Sequence, residues 1–101
     1  MIANNRNLDD ILSVLKKQKL MLRDKYKIKE IGVFGSYVRG EQRLESDIDI
    51  LIEKDEPIGL LKLANLQNFL SQLIGVKVDL VIKKSLRPHV VKNVLNEVKY
   101  V

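Results

Sequence analysis

The pattern of apolar and polar positions predicts helices and strands that follow one another along the chain. We predict one first helix, whose buried stripe at the helical period is Leu8, Ile11, Leu12, Leu15, Leu22 and Tyr26. Asn7 precedes this stripe and can cap the helix, because its side-chain oxygen can accept from a free N–H of the first turn. Lys19 falls inside the stripe. The helix must therefore bend there, or the lysine must extend its ammonium group to solvent.

Three later segments have the pattern of β-strands, and we predict them at 28–34, 47–53 and 76–82. A short helical turn is expected at 37–40 and a final short strand at 100–101. Two further helices are predicted, one with Leu63, Leu66, Leu70 and Leu73 buried before a Gly75 cap, and one from Pro88 to Val98 with Val90, Val91, Val94, Leu95 and Val98 on one face.

These elements indicate an α/β (α+β) fold, in which a small β-sheet carries helices packed on it. About ten polar residues join the first two predicted strands, which is short for the helical crossover that parallel neighbours need. We therefore expect a mixed sheet rather than a purely parallel one.

The 101 residues suffice for a single domain, 1–101, with its own core. No apolar run approaches the ~20 residues of a membrane span, and the N-terminus lacks an apolar signal segment, so we expect a cytoplasmic protein without membrane contact. The sequence has no cysteine, which excludes disulfides, thiolate metal sites and a cysteine nucleophile. The sequence has one histidine, which excludes a multi-histidine metal site. This residue, His89, lies opposite the apolar face of the predicted last helix.

A net charge of +5 favours anionic partners, and the excess is concentrated in one segment. That basic segment contains Lys16, Lys17, Lys19, Arg23, Lys25, Lys27 and Lys29. It is either a solvated helix face whose cations suit the helix dipole, or a surface for a phosphate-bearing or acidic partner. We do not expect direct nucleic acid binding, because three tyrosines and two phenylalanines offer few platforms for base stacking.

Two aspartates mark the start of the second predicted strand. Asp47 and Asp49 share one face, with Cα atoms roughly 6–7 Å apart, so their oxygens can converge on one hard cation such as Mg²⁺. A third acid, Asp79, interrupts the apolar third strand, where an unpaired buried carboxylate is rare. Asp79 either has a part in the chemistry, where it shares the metal or accepts a proton from a substrate hydroxyl, or pairs with Lys77 on the same face.

Gly35 and Ser36 follow the first strand, where a glycine permits close backbone approach to an anion and the serine hydroxyl can hold phosphate oxygens. The segments Gly35-Ser36-Tyr37-Val38-Arg39-Gly40 and Ser46-Asp47-Ile48-Asp49-Ile50-Leu51-Ile52 resemble together the minimal nucleotidyltransferase (MNT) domain. This domain belongs to the superfamily related to DNA polymerase beta. The resemblance covers nearly the whole chain.

The resemblance implies a role for each matching residue. Asp47, Asp49 and Asp79 are expected to be catalytic and to bind two Mg²⁺ ions, and Gly35 and Ser36 to hold the triphosphate of ATP. Arg39 is expected either to neutralise phosphate charge or to pair with Asp47 or Glu45. Ser46 is expected at the nucleotide site, bracing the aspartate loop.

The resemblance also implies a function. MNT proteins similar to this one are antitoxins that transfer AMP from ATP to a tyrosine hydroxyl of a HEPN-type RNase toxin. We expect no separate acceptor-binding domain, and therefore an acceptor site that is shallow, shared in a homodimer, or completed by a partner in a hetero-oligomer. Two alternatives stay open: an antitoxin that acts by binding alone, and a small basic nucleic-acid-binding domain, whose binding falls steeply with salt.

Overall fold

The computed structural model describes residues 7–43 and 45–101. The first six residues, which bear on the expectation that there is no signal segment, lie outside this range. The helices are α1 (Leu8–Lys17), α2 (Lys19–Tyr26), α3 (Ser36–Arg39), α4 (Leu60–Ile74) and α5 (Pro88–Glu97). The strands are β1 (Ile28–Phe34), β2 (Ile48–Lys54), β3 (Val78–Ile82) and β4 (Lys99–Tyr100), and a 3₁₀ turn covers Lys83–Ser85. None of the described helices is long and apolar enough to cross a membrane.

The four strands form one sheet in the order β3-β2-β1-β4. β2 runs antiparallel to β1 and parallel to β3, and β4 pairs antiparallel with β1. The mixed sheet predicted from the short polar connection is therefore confirmed. The parallel pair β2 and β3 is joined through α4, as a parallel connection requires.

The first predicted helix is two helices, because the chain breaks at Gln18 between α1 and α2. The bend expected at Lys19 is thus present, and the Lys19 ammonium group donates a 2.7 Å hydrogen bond to the Val101 carbonyl. The Asn7 cap is confirmed, since the Asp10 N–H donates to the Asn7 side-chain oxygen at 2.8 Å. The break between α1 and α2 is thus accompanied by a tertiary contact between Lys19 and Val101.

The core lies between one face of the sheet and the helices α1, α2 and α4. Alternate residues of β2 enter this core, and its fully buried members include Ile11, Leu15, Leu22, Ile48, Ile50, Ile52, Leu66, Leu70 and Ile74. Leu73, expected in the core, is only half-buried, and Ile74 takes the buried position. Asp49 alternates with the buried isoleucines, so the packing of β2 directs its side chain to the opposite face.

The C-terminal segment lies against β1 at Gly32. A Cβ on Gly32 would stand 2.8 Å from Val98 Cγ2 and 2.9 Å from the Lys99 carbonyl oxygen, so only glycine admits this approach. The apolar face predicted for α5 is incomplete, because Val94 is buried whereas Leu95 is 38% exposed. The pairing of Gly32 with Tyr100 in β4 fixes the end of α5 beside β1.

Candidate active site

Three carboxylates lie near one another at the starts of β2 and β3. Asp47 immediately precedes β2, and the parallel register pairs Asp49 of β2 with Asp79 of β3. Paired positions of neighbouring strands lie about 4.8 Å apart and project to the same face. The structure therefore brings together the three acids that the sequence singled out.

We expected Asp79 to be buried, but its side chain is exposed to solvent. The reason is that Asp79 lies near the beginning of the edge strand β3, on the face away from the core. The alternative pairing with Lys77 is also wrong. The Lys77 ammonium group lies 3.9 Å from Asp47 Oδ2 instead. Asp79 is therefore open to a group that approaches from solvent.

Asp49 has the most perturbed electrostatics of the three acids. Burial, together with the negative charges of Asp79 and Asp47, raises its pKa from 3.8 to about 6, and the Arg39 charge opposes this rise. An acid beside two like charges is stabilised by a proton or by a cation. The site thus carries negative charge that a bound cation would relieve.

The donor set suits a hard cation held jointly with a substrate. In residues 7–43 and 45–101, no three or more His, Cys, Asp or Glu side chains converge closely enough to hold a metal ion by themselves. Asp47 and Asp49 supply two adjacent carboxylates, and Mg²⁺ commonly takes one or two carboxylates with the rest of its ligands from water and substrate phosphates. The residues present therefore fit Mg²⁺ that arrives with a nucleotide.

Gly35 places the turn after β1 directly beside Asp49. Its backbone angles, φ +83° and ψ −151°, are accessible to glycine and strained for other residues. A Cβ on Gly35 would overlap the Asp49 carboxylate. The Gly-Ser turn and the aspartate strand are thus in direct contact, and Ser36 begins α3 at this position.

The structure adds a site residue that the sequence analysis missed, Glu97 at the end of α5. Its Oε2 accepts a 2.7 Å hydrogen bond from the Gly35 N–H, and its two oxygens lie 2.9 and 3.1 Å from Arg39 Nη1. Arg39 Nε donates to Glu41 at 2.9 Å. The predicted pairing of Arg39 with Asp47 or Glu45 is therefore wrong. The sequence held one indication of this role, because Glu97 is the single acidic residue of the predicted last helix.

Ser46 stands in the loop that leads to Asp47. Its hydroxyl accepts a 2.8 Å hydrogen bond from the Arg43 N–H, and its own N–H donates to the Arg43 carbonyl at 3.0 Å. These two bonds close a tight turn before the aspartates. Ser46 thus braces the loop, as expected, and its contact with a nucleotide stays a prediction.

The basic segment lies away from these carboxylates. Lys16, Lys19, Arg23 and Lys29 line an open groove with Leu20 and Ile28. Ile28 begins β1, whereas Gly35 follows its last residue, so the groove and the site lie at opposite ends of that strand. Leu20 is 66% exposed there. Both interpretations of the basic segment stay open.

This chain matches the nucleotidyltransferase domain family over residues 15–101. It is 49% identical over 94 residues to the protein adenylyltransferase MntA of Thermococcus cleftensis, a match that covers 93% of this chain and 95% of MntA. Both matches include the three aspartates of the site and the Gly-Ser turn.

Two solved structures share the fold. A toxin–antitoxin structure with AMP-PNP matches with a TM-score of 0.71 at 30% identity, over 84% of this chain and 69% of that chain. A complex of a tri-AMPylated Shewanella oneidensis HEPN toxin with an MNT antitoxin matches with a TM-score of 0.66 at 25% identity, over 89% of this chain and 70% of that chain. The chain therefore belongs to the nucleotidyltransferase family, as a minimal nucleotidyltransferase whose similar relatives are protein adenylyltransferases.

Proposed function

We propose that this protein transfers AMP from ATP to a tyrosine hydroxyl of a HEPN-type toxin and thereby acts as its antitoxin. One observation carries the proposal: the Gly-Ser turn after β1 contacts the Asp49 carboxylate, and the register of β2 and β3 pairs Asp49 with Asp79. The relatives support the choice of AMP and of a protein acceptor, because they include a protein adenylyltransferase and an AMPylated toxin in complex with its antitoxin.

Each residue of the site has a part in this transfer. Ser36 and the turn around it hold the triphosphate, and Asp47 and Asp49 would hold Mg²⁺. Bound Mg²⁺ would neutralise charge that develops on the phosphates. The acceptor oxygen forms a bond to the α-phosphorus, the bond from that phosphorus to the bridging oxygen breaks, and pyrophosphate leaves. Asp79, exposed beside Asp49, takes the proton of the hydroxyl.

The openness of the site favours an acceptor on another protein. Asp79 is exposed, and the Asp47 side chain is 44% exposed, so a tyrosine on a protein surface can approach both of them. A tyrosine ring is long enough to bring its hydroxyl to such an edge while its backbone stays outside. In this arrangement the partner completes the acceptor site.

The test uses ATP labelled at either the α- or the γ-phosphate, with Mg²⁺ and a candidate HEPN toxin. We expect label on the toxin from the α-position only, and mass spectrometry should place AMP on a tyrosine. Asp47→Asn and Asp49→Asn should abolish the labelling. Asp24→Asn, which changes an exposed aspartate of α2, is the matched control and should retain it.

Two outcomes would overturn the proposal. Label from the γ-position would mean phosphoryl transfer. Neutralisation of the toxin without any label, preserved in Asp49→Asn, would mean an antitoxin that acts by binding alone.

A further inference from the structure

The Glu97 carboxylate holds together two parts of the chain that are distant in sequence. It accepts from the Gly35 N–H in the turn after β1 and from the Arg39 guanidinium group at the end of α3. Hydrogen bonds between ionised partners are shorter and stronger than neutral ones, and this carboxylate is partly shielded from solvent. The contact therefore ties the C-terminal segment to the Gly-Ser turn.

The position of Glu97 is itself fixed by the sheet. Val98, the next residue, packs on Gly32, and β4 pairs with β1 immediately afterwards. Glu97 is thus anchored to the same strand that leads into the Gly-Ser turn. A carboxylate held in this way can orient the turn without large movement of its own.

Gly35 is restrained on both sides of its α-carbon. Its N–H donates to Glu97 at 2.7 Å, and its carbonyl accepts from the N–H groups of Val38 and Arg39 at 3.0 and 3.2 Å. The Gly35 α-carbon in turn faces the Asp49 carboxylate so closely that a side chain would not fit. A displacement of Gly35 would therefore change the room available to Asp49 and the position of Ser36.

The same contacts limit what else Gly35 and Arg39 do. The Gly35 N–H is already bonded, so it is not a free donor for a phosphate oxygen. The Arg39 charge is opposed by Glu41 and Glu97, which makes Arg39 a clamp between α3 and α5 rather than a free phosphate ligand. Phosphate binding is then left to Ser36 and the rest of the turn around it, together with the cation that Asp47 and Asp49 would hold.

We propose that Glu97 is a positioning residue for AMP transfer: it holds Gly35 and Arg39 in place and through them sets the spacing between Ser36 and Asp49. This inference rests on the proposed function. Displacements near 1 Å at a reacting centre can cost about 10²-fold in rate. Loss of Glu97 should therefore lower the rate of transfer more than it weakens ATP binding.

The experiment compares Glu97→Ala and Glu97→Gln with the wild type. It measures kcat for toxin labelling, the Kd for AMP-PNP with Mg²⁺, and hydrogen exchange at the Gly35 amide. We expect Glu97→Ala to lower kcat by about 10- to 100-fold, to change the Kd by less than about threefold, and to speed exchange at Gly35. Glu97→Gln keeps an acceptor oxygen for Gly35, so it should recover part of the rate and of the protection.

Glu41→Gln is the matched control. It removes the other carboxylate bonded to Arg39 and leaves the bond to Gly35 intact, so kcat and exchange at Gly35 should stay close to the wild type. Kinetic constants are measured below the unfolding transition of each variant, so that loss of folded protein is not counted as loss of rate.

Two results would overturn the inference. Tighter AMP-PNP binding in Glu97→Ala would show that Glu97 competes with phosphate for the Gly35 N–H. Unchanged kcat with unchanged Gly35 exchange would show that the contact does not order the turn. A wild type that transfers no AMP would instead refute the proposed function, and the exchange and AMP-PNP measurements would still decide whether Glu97 orders the turn.

Discussion

Asp49→Asn should stabilise the protein in the absence of metal while it abolishes catalysis. In the folded state, burial and the charges of Asp79 and Asp47 raise the Asp49 pKa from 3.8 to about 6. At neutral pH the ionised Asp49 carboxylate therefore lowers the free energy of unfolding. Asparagine has nearly the same shape and carries no charge, so the substitution removes this cost.

The size of the effect follows from the pKa. A rise of roughly two units corresponds to about 3 kcal/mol of unfavourable free energy. Solvent reaches part of the Asp49 side chain and screens these charges, so we expect a gain of about 1–2 kcal/mol in the free energy of unfolding. For a chain of this size, 1 kcal/mol raises Tm by about 4–8 °C.

The pH dependence of the stability shows whether the charge of Asp49 is the cause. Below the unfolded-state pKa near 3.8 the carboxyl is protonated in both states, and it contributes no penalty. Between that pH and about 6 the unfolded state releases its proton first, so the stability of the wild type falls as pH rises. Above the folded-state pKa both states are ionised and the penalty is constant.

The assay is urea denaturation of the wild type and Asp49→Asn in EDTA at pH 3.5, 5 and 7.5. The gain should be near zero at the lowest pH, intermediate at pH 5 and largest at pH 7.5. Asp24→Asn is the control for an exposed aspartate and should show little change at any pH. A destabilised Asp49→Asn at pH 7.5, or an equal gain at all three values, would refute the electrostatic reasoning.

Three further predictions concern the turn, the cation and the first helix. Gly35→Ala should displace the Asp49 carboxylate and abolish AMP transfer, with circular dichroism checking that the fold persists; retained transfer would contradict the contact. Mg²⁺ should raise the Tm of the wild type at pH 7.5 and have little effect on the Asp47→Asn, Asp49→Asn double variant, and an equal rise in both would place the cation elsewhere. Asn7→Ala should lower the free energy of unfolding by about 1 kcal/mol in chemical denaturation, because the first turn loses its cap, whereas an unchanged stability would mean that solvent replaces the bond.

Local features of the sequence were sufficient for most elements. The strand predicted at 28–34 coincides with β1, and Gly75 ends α4 with φ +84°, a conformation that its lack of a side chain allows. Asp47 and Asp49 were recognised because their spacing along one strand already brings them to one face. The Gly-Ser turn was recognised because it follows a predicted strand and, together with the aspartate segment, resembles the minimal nucleotidyltransferase domain.

The sequence by itself therefore determined most of the elements, the mixed character of the sheet, and the three acids and the Gly-Ser turn of the candidate site, since these follow from local patterns and short connections. Only the tertiary structure decided which distant groups meet. The helix break at Gln18, the exposure of Asp79 at an edge strand and the exposure of Leu95 depend on what packs against each segment. The contact of Glu97 with Gly35 spans 62 positions. It arises because β4 pairs with β1, and no periodicity along the chain encodes that pairing.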